Sequence, residues 1–257
     1  HESPKPNNIS SEVTADGAFY DHLNTLSVRK ETYKPAHFLN LYYVGKVGKM
    51  DIDMNVDYLY NNSRDNTSTH EQSQSRTSRT VTSNHLERNR LFASKLTLGY
   101  PLLGGNLSAG AEYTYTNRND DYINPEHYVP TSYAQLKESN ISFYALYVIC
   151  QLTVGLRWEN TRFNYYEDGQ HVPSQSRSFS NLFPSISAAT QIGNVQLQLA
   201  YAAKTRRPSY SQLSNNVSYG NRFLLQSGNP LLKHEYIHTI SLGGAWKFIQ
   251  FGVAYND

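Results

Sequence analysis

The sequence predicts an all-β fold: an antiparallel up-and-down transmembrane β-barrel, seen here as about ten to eleven strands. Three observations point there. The first is residues 194–206 (NVQLQLAYAAKTR), where Val195, Leu197, Leu199, Tyr201 and Ala203 fill the odd positions. Gln196, Gln198, Ala200, Ala202, Lys204 and Arg206 fill the even ones. A period of two sends successive side chains to opposite faces of a strand, one greasy and one small, polar and then cationic. About 11 such residues span roughly 36 Å, or about 25 Å of height at a 45° tilt, which matches the apolar band of a membrane barrel. The second observation is that tight turns alternate strictly with long polar connections. The third is composition: 39% apolar residues, yet 21 Tyr, 10 Phe and 2 Trp. Few aliphatics with abundant Tyr suits strands that have one lipid face and one wet face.

The elements follow in order. Residues 1–36 form a poorly defined lead-in, in which Pro4, Pro6, Asn7 and Asn8 suggest a loop and Leu26 and Val28 a strand. Residues 37–257 read as part of a barrel. Residues 38–44 (FLNLYYV) lead to a Gly-Lys turn at 45–49. Residues 50–60 alternate cleanly, Met50, Ile52, Met54, Val56, Tyr58 and Tyr60 against Asp51, Asp53, Asn55 and Asp57. Residues 61–87 hold hardly any aliphatic side chain, so they read as a solvated loop or as strands extended into water. Strands return at 88–100, 107–116, 139–149, 152–163, 183–192, 237–246 and 249–255, with Leu156 and Trp158 against Arg157 and Glu159 as one further clear case. Polar segments at 117–137, 165–181 and 207–235 read as loops. The connections thus run short, long, short, long, which suits tight periplasmic turns and outward loops. A soluble sandwich has no reason to keep its long loops at one end.

The net charge of +2 gives no argument for nucleic acid, and no Lys/Arg stripe is interleaved with aromatics. Cys150 is the only cysteine, so an internal disulfide is impossible, and it reads as a small buried or lipid-facing residue. No run approaches the roughly 18 apolar residues of a transmembrane helix. The chain opens HESPKPNN, without the apolar segment of a secretory signal, and its last residues stop inside an alternating strand. It therefore reads as a piece of something longer.

Chemistry-bearing motifs are few. His234-Glu235-Tyr236-Ile237-His238 spells H-E-x-x-H, but that motif holds zinc only on a helix, and these residues enter a strand. In a strand the two imidazoles start about 13 Å apart, so no metal site is expected. No nucleophile elbow, phosphate-cradling glycine loop or Cys-x-x-Cys is present, so no catalytic residue and no cofactor are expected. Asp51, Asp53 and Asp57 form an acidic row on the wet face, and Arg157, Glu159, Lys204 and Arg206 share that face by parity. These seven are the candidates for contact with a ligand or with an internal domain. Arg76, Arg79, Arg88 and Arg90 with His70 and His85 make residues 70–90 basic. A solvated segment is the default there, with contact to anionic lipopolysaccharide as the alternative.

In the last third the motifs LFPSIS, LAYAAKTRRPSYSQLSN and SGNPLLKHE follow one another. Their Phe183-Pro184-Ser185, Arg207-Pro208-Ser209-Tyr210 with Leu213, and Gly228-Asn229-Pro230 through Glu235 resemble the barrel of Bacteroidetes-type TonB-dependent outer-membrane receptors. Upstream, residues 138–147 (ESNISFYALY) and 155–159 (GLRWE) resemble the strands that precede them. His234 stands where that family usually has Pro. In that family the "FPS" opens a strand. Read from the residues, Pro184, Arg207, Pro208, Gly228, Asn229, Pro230 and Glu235 set loop and strand geometry. The resemblance implies a piece of a 22-strand barrel in the bacterial outer membrane that imports a nutrient such as an iron chelate or oligosaccharide, without making or breaking bonds. It also implies outer-membrane lipid, a plug domain in the same full-length chain, the TonB complex and the nutrient as partners. The rival expectations are a passive porin-like channel or outer-membrane enzyme, and a soluble β-rich adhesin or carbohydrate-binding module.

Overall fold

The computed structural model describes residues 3–33 and 36–257. Among these, β1 (Ser3–Ala15), β2 (Ala18–Tyr33), β3 (His37–Val47), β4 (Met50–Ser73), β5 (Arg79–Leu102) and β6 (Gly105–Ile123) come first. Then follow β7 (Ser132–Ile149), β8 (Leu152–Glu167), β9 (Gln170–His171), β10 (Arg177–Ile192) and β11 (Val195–Arg206). A one-turn helix α1 (Tyr210–Leu213) and the hairpin β12 (Val217–Asn221) and β13 (Leu224–Ser227) precede β14 (Glu235–Trp246) and β15 (Ile249–Asn256). All but β12 and β13 form one 13-stranded sheet ordered β1-β2-β4-β5-β6-β7-β8-β10-β11-β14-β15. Strand-to-strand pairing is antiparallel throughout, each neighbour in the path being the next traverse in sequence, as in an up-and-down barrel wall. β2 and β3 run along one edge of β4 in series, β2 on Ser63–Ser73 and β3 on Met50–Tyr60.

Register joins the greasy residues of each strand into continuous rungs. One rung reads Ile52, Leu98, Ala109, Ala145, Leu156, Pro184, and the next Met54, Leu96, Ala111, Phe143, Trp158, Leu182. These side chains are largely exposed, as a lipid face requires. The opposite face is polar and far better covered. Tight turns join β3–β4, β5–β6, β7–β8, β10–β11 and β14–β15, each with a residue at positive φ: Gly48 (61°), Leu103 (48°), Cys150 (50°), Gly193 (58°) and Lys247 (53°). Two-residue turns of this kind match the strand twist and require φ above zero.

Several expectations are corrected here. The lead-in is a hairpin, β1 and β2: the strand expected at Leu26 and Val28 is present, the loop expected around Pro4, Pro6, Asn7 and Asn8 is strand instead, and His1, Glu2, Lys34 and Pro35 lie outside the described residues. Pro4 and Pro6 nonetheless lie within β1, opposite Lys30 and Val28 of β2. Of the two readings of 61–87, the strand extension holds: β4 and β5 have 24 residues each, about 80 Å at ~3.3 Å per residue. Likewise much of 117–137 and 165–181 is strand, because β6, β7, β8 and β10 continue past the apolar band in unbroken antiparallel register. Cys150 is neither buried nor in a strand; it sits exposed in the β7–β8 turn. Pro184 lies inside β10 rather than at a strand start, one residue before pairing with β11 begins at Ser185.

Candidate ligand vestibule

The connection from Arg206 to Glu235 was expected to be a loop in water. Instead it folds inward across the polar face of the sheet. Arg207 starts it. Its guanidinium donates through Nη1 to Glu138 Oε1 (3.1 Å), through Nη2 to Thr161 Oγ1 (3.2 Å) and through Nη2 to Glu159. Pro208 then leads to Ser209, the N-cap of α1, where Gln212 Oε1 accepts from the Ser209 N–H (2.9 Å) and Ser209 Oγ accepts from the Gln212 N–H (3.4 Å). The cap aims Leu213 into a pocket of Ala134, Leu136, Phe163 and Tyr165, with Tyr210 and Val172 at its rim. Burial pushes the Tyr165 phenol up to about 12.

The two family motifs meet in space. Asn229 N–H donates to Gln212 O (2.6 Å), and the side chain of Asn229 accepts from Leu231 N–H (2.9 Å). Gly228 sits so close that a Cβ there would lie 2.5 Å from Ser214 O and 2.6 Å from Gln212 O. Those are backbone atoms and cannot step aside. Gly228→Ala is therefore expected to destabilise the docked loop by roughly 1–3 kcal/mol through overpacking, while Gly193→Asn in an open turn changes little. Chemical denaturation of the two variants of the full-length protein checks this.

Beyond the helix, the β12–β13 hairpin crosses to the far wall. Tyr219 O–H donates to Glu71 Oε2 (2.7 Å), Arg222 N–H donates to the same oxygen (2.7 Å), and Arg222 Nε donates to Oε1. Arg222 Nη2 also donates to Thr77 O (2.8 Å), and Arg79 Nε donates to the Tyr219 hydroxyl (2.9 Å). The Arg79 guanidinium lies over the Tyr128 and Tyr219 rings, and Tyr219 packs with Val81 and Val129. Glu71 is wholly buried. Burial pushes its carboxyl up, but the bonds from Tyr219 and Arg222 outweigh that and hold it below the usual carboxylate range. The Tyr219 phenol is driven above its ordinary value by burial and by the carboxylate it donates to.

Near this wall His85 Nε2 bonds Asp120, and its Nδ1 lies 3.7 Å from Asp65 Oδ2. The hydrogen bond to Asp120, aided by the charges of Asp120 and Asp65, raises the His85 pKa. A raised folded-state pKa means the stabilisation is fully present below the ordinary value of about 6.5 and is lost as pH rises through the folded-state value. The thermal midpoint of the wild type minus that of a His85→Gln variant is thus expected to be largest below about pH 6.5 and to vanish in alkaline buffer. A difference independent of pH refutes the charged pair.

The seven residues picked from parity all project from the polar face, but they group differently. Arg157 Nη1 meets Glu112 Oε2 (2.6 Å) and its Nη2 meets Glu159 Oε2 (3.3 Å), so with Lys95 and Arg207 they form one chain of alternating charge. Asp51, Asp53 and Asp57 keep partners on β3: Lys46 (3.3 Å), the Tyr42 hydroxyl (3.2 Å) and Asn40 (2.5 Å). Yet one rung leads from Asn55 through Lys95, Glu112 and Ser142 to Glu159, so the acidic row stands level with that chain. Arg206 pairs with Glu235 (Nε to Oε2, 2.9 Å), and Lys204 stands beside them lining the same shallow recess. The two histidines of H-E-x-x-H go separate ways. The His234 ring packs edge-on to Phe179, while His238 Nδ1 meets the Tyr201 hydroxyl (2.9 Å).

Glu71, Tyr219 and Arg222 were missed, and Arg79 was read only as part of a basic segment, because partners some 150 residues apart in the chain carry no local pattern. One signal existed: Glu71 has the same parity as Asp51, Asp53 and Asp57 once the strand is taken as unbroken.

A family model described as the outer membrane protein beta-barrel family matches residues 46–257. Comparison with curated protein sequences finds no match. Among solved structures, the copper transporter OprC aligns at TM-score 0.50 and 11% identity, covering 98% of this chain and 48% of its own. The ferric citrate transporter FecA in its unliganded form aligns at TM-score 0.47 and 12% identity, covering 99% and 43%. The alcaligin outer-membrane receptor FauA from Bordetella pertussis aligns at TM-score 0.45 and 10% identity, covering 98% and 48%. The chain thus spans less than half the length of each. At these identities the likeness to OprC speaks for the fold alone. Register, the lipid-facing rungs and the match over residues 46–257 lead to one conclusion: the chain belongs to the outer membrane protein β-barrel family and is a component of the bacterial outer membrane.

Proposed function

We propose that this chain is barrel wall of a TonB-dependent receptor that takes up a nutrient, and that the inward-folded connection between β11 and β14 floors the vestibule where the nutrient first docks. The observation that carries the reading is the loop itself: some 28 residues lie across the polar face, fixed at Arg207 and at Glu71, and a long ordered connection of this kind is usually a functional, ligand-meeting segment. Acids outnumber bases on that face of β4–β8, so it attracts a cationic or neutral ligand, such as a metal chelate or an oligosaccharide, more than a polyanion. Asp51, Asp53, Asp57, Arg157, Glu159, Lys204 and Arg206 would then face the plug domain of the full-length chain or the ligand. The TonB complex would supply the energy, and no bond of the nutrient would change.

The test is uptake by cells carrying the full-length gene. A receptor of this kind saturates at low ligand concentration and stops when a protonophore collapses the inner-membrane gradient. Uptake that rises linearly with concentration and ignores the protonophore overturns the proposal in favour of a porin-like channel.

A further inference from the structure

Strand β10 runs beside β8 from Arg177 to Ala188, yet it pairs with β11 only from Ser185 onward. Residues 177–183 therefore have no ladder partner on the β11 side. The inward connection closes the space beside them: Pro208, Leu213 and Leu232 line it together with Phe163 and Phe179. Odd residues of β10 face inward, since Arg177 pairs with Phe163 and Phe183 with Arg157. Arg177, Phe179 and Asn181 thus come to one side of the recess. The Arg177 guanidinium lies 5.3 Å from the Phe163 ring centroid and 5.8 Å from that of Phe179, so two phenyl rings hold it in place. Among the described residues no carboxylate stands within ion-pair distance of it. The recess does hold two acids, but both are already engaged: Glu138 and Glu159 turn to Arg207, and Glu159 also meets Arg157. His234, which departs from the resembled motif, supplies a further donor here. Asn181 Nδ2 lies 3.1 Å from His234 Nε2, and an amide nitrogen only donates, so Nε2 accepts and the ring proton sits on Nδ1. The Phe179 ring packs edge-on against the imidazole, 4.1 Å between centroids. The free space among these groups is about 30 Å³, room for about two water-sized atoms.

We propose that this recess takes one carboxylate group of the incoming ligand, gripped by Arg177 with His234 beside it. A carboxylate has two oxygens in one plane, which suits both the free space and the fork of a guanidinium. A phosphate carries more oxygens than the space admits. The recess is too small for a whole nutrient, so the carboxylate is the end of a larger molecule whose body stays in the vestibule. The acids of β4–β8 and this one base without an acid then select a ligand with a cationic or neutral body and an anionic end. The assignment rests on the reading of the connection as the floor where the nutrient docks.

The experiment uses the full-length protein in nanodiscs of zwitterionic lipid and two probes, propionate and its neutral isostere propionamide. Binding is read by saturation-transfer-difference NMR. The expected result is saturable binding of propionate, with propionamide bound at least about tenfold more weakly. Arg177→Gln is expected to weaken propionate binding about tenfold through loss of the charged fork. Arg177→Lys keeps the charge without the fork and should weaken it about threefold. Arg90→Gln removes a base held against the Tyr60 ring on the opposite face and should bind as the wild type does. Protection of residues 214–234 from protease verifies that the connection stays docked; where the glutamine variant loses that protection, the lysine variant decides, and wild-type affinity there overturns the proposal. Propionamide bound as tightly as propionate, undiminished binding by a docked Arg177→Gln variant, or displacement of propionate by an equal concentration of inorganic phosphate each overturns it as well. Binding needs no energised membrane, so a negative result here strikes the carboxylate site alone, whereas uptake that ignores a protonophore strikes the receptor reading.

Discussion

Replacing Glu71 with alanine is expected to free the β12–β13 hairpin from the vestibule wall. The carboxylate is fully buried and receives Tyr219 O–H and two N–H groups of Arg222, with Arg79 Nε 3.6 Å away. Removing it leaves two guanidinium groups and a phenol partly desolvated with no anion between them. Breaking a buried pair by deleting one partner costs roughly 3–5 kcal/mol, far more than the surface pairs elsewhere in the sheet. That exceeds what Val81, Val129 and Tyr219 can recover by packing alone, so the hairpin should open while the barrel wall stays intact. Protease added to intact cells that display the full-length protein is expected to cut within residues 214–234 of the Glu71→Ala variant and to spare the wild type. Glu71→Gln keeps an acceptor but loses the charge and should open less. Acid should mimic the substitution: the Glu71 carboxyl is held below its ordinary value, so its contribution is present above about pH 4.5 and fades as pH falls through the folded-state value. Identical cleavage patterns in all three proteins at neutral pH would mean that the hairpin is not held there.

The second large effect is expected on the other face. Leu199→Arg places a charge among Ala188 and Leu242 on the lipid side of β11 and should destabilise the barrel by roughly 2–4 kcal/mol near the bilayer midplane. Gln198→Arg, one residue away, points into water and should shift stability by less than about 0.5 kcal/mol. Urea unfolding from lipid vesicles distinguishes the pair. The side-by-side choice is deliberate, because the incoming arginine is the same at both sites and the faces they present are opposite. If the two variants unfold alike, lipid does not wet the odd face of β11, and the orientation of the whole sheet is wrong.

Much of the wall was legible in the sequence. Alternation in 194–206 and 50–60 named the lipid face residue by residue, since a strand repeats every second residue whatever surrounds it. The turns at Gly48 and Gly193 were equally readable, because a two-residue connection needs φ above zero and so favours Gly; Leu103, Cys150 and Lys247 take up the same conformation without that signal, and those turns were placed by the ends of the alternation around them. The reading faltered in 61–87, 117–137 and 165–181. Polar strands above the membrane have water or other polar groups on both faces, so nothing forces an alternation of greasy and wet side chains there. The lead-in was only partly legible for a related reason: Pro4 and Pro6 signal a loop in most settings, and whether a strand admits them depends on which backbone N–H groups its neighbours need, a property of the sheet.

The amino-acid sequence by itself determined the fold class, the face each membrane residue presents and the order of turns, because those follow from local periodicity and backbone sterics. Tertiary structure alone decided that 207–234 folds inward, that Arg207 bridges Glu138 and Glu159, and that Glu71 anchors Tyr219 and Arg222 from across the sheet. A desolvated charge is tolerated only where its partner arrives, and which residues arrive there depends on how the sheet curves to bring distant strands face to face.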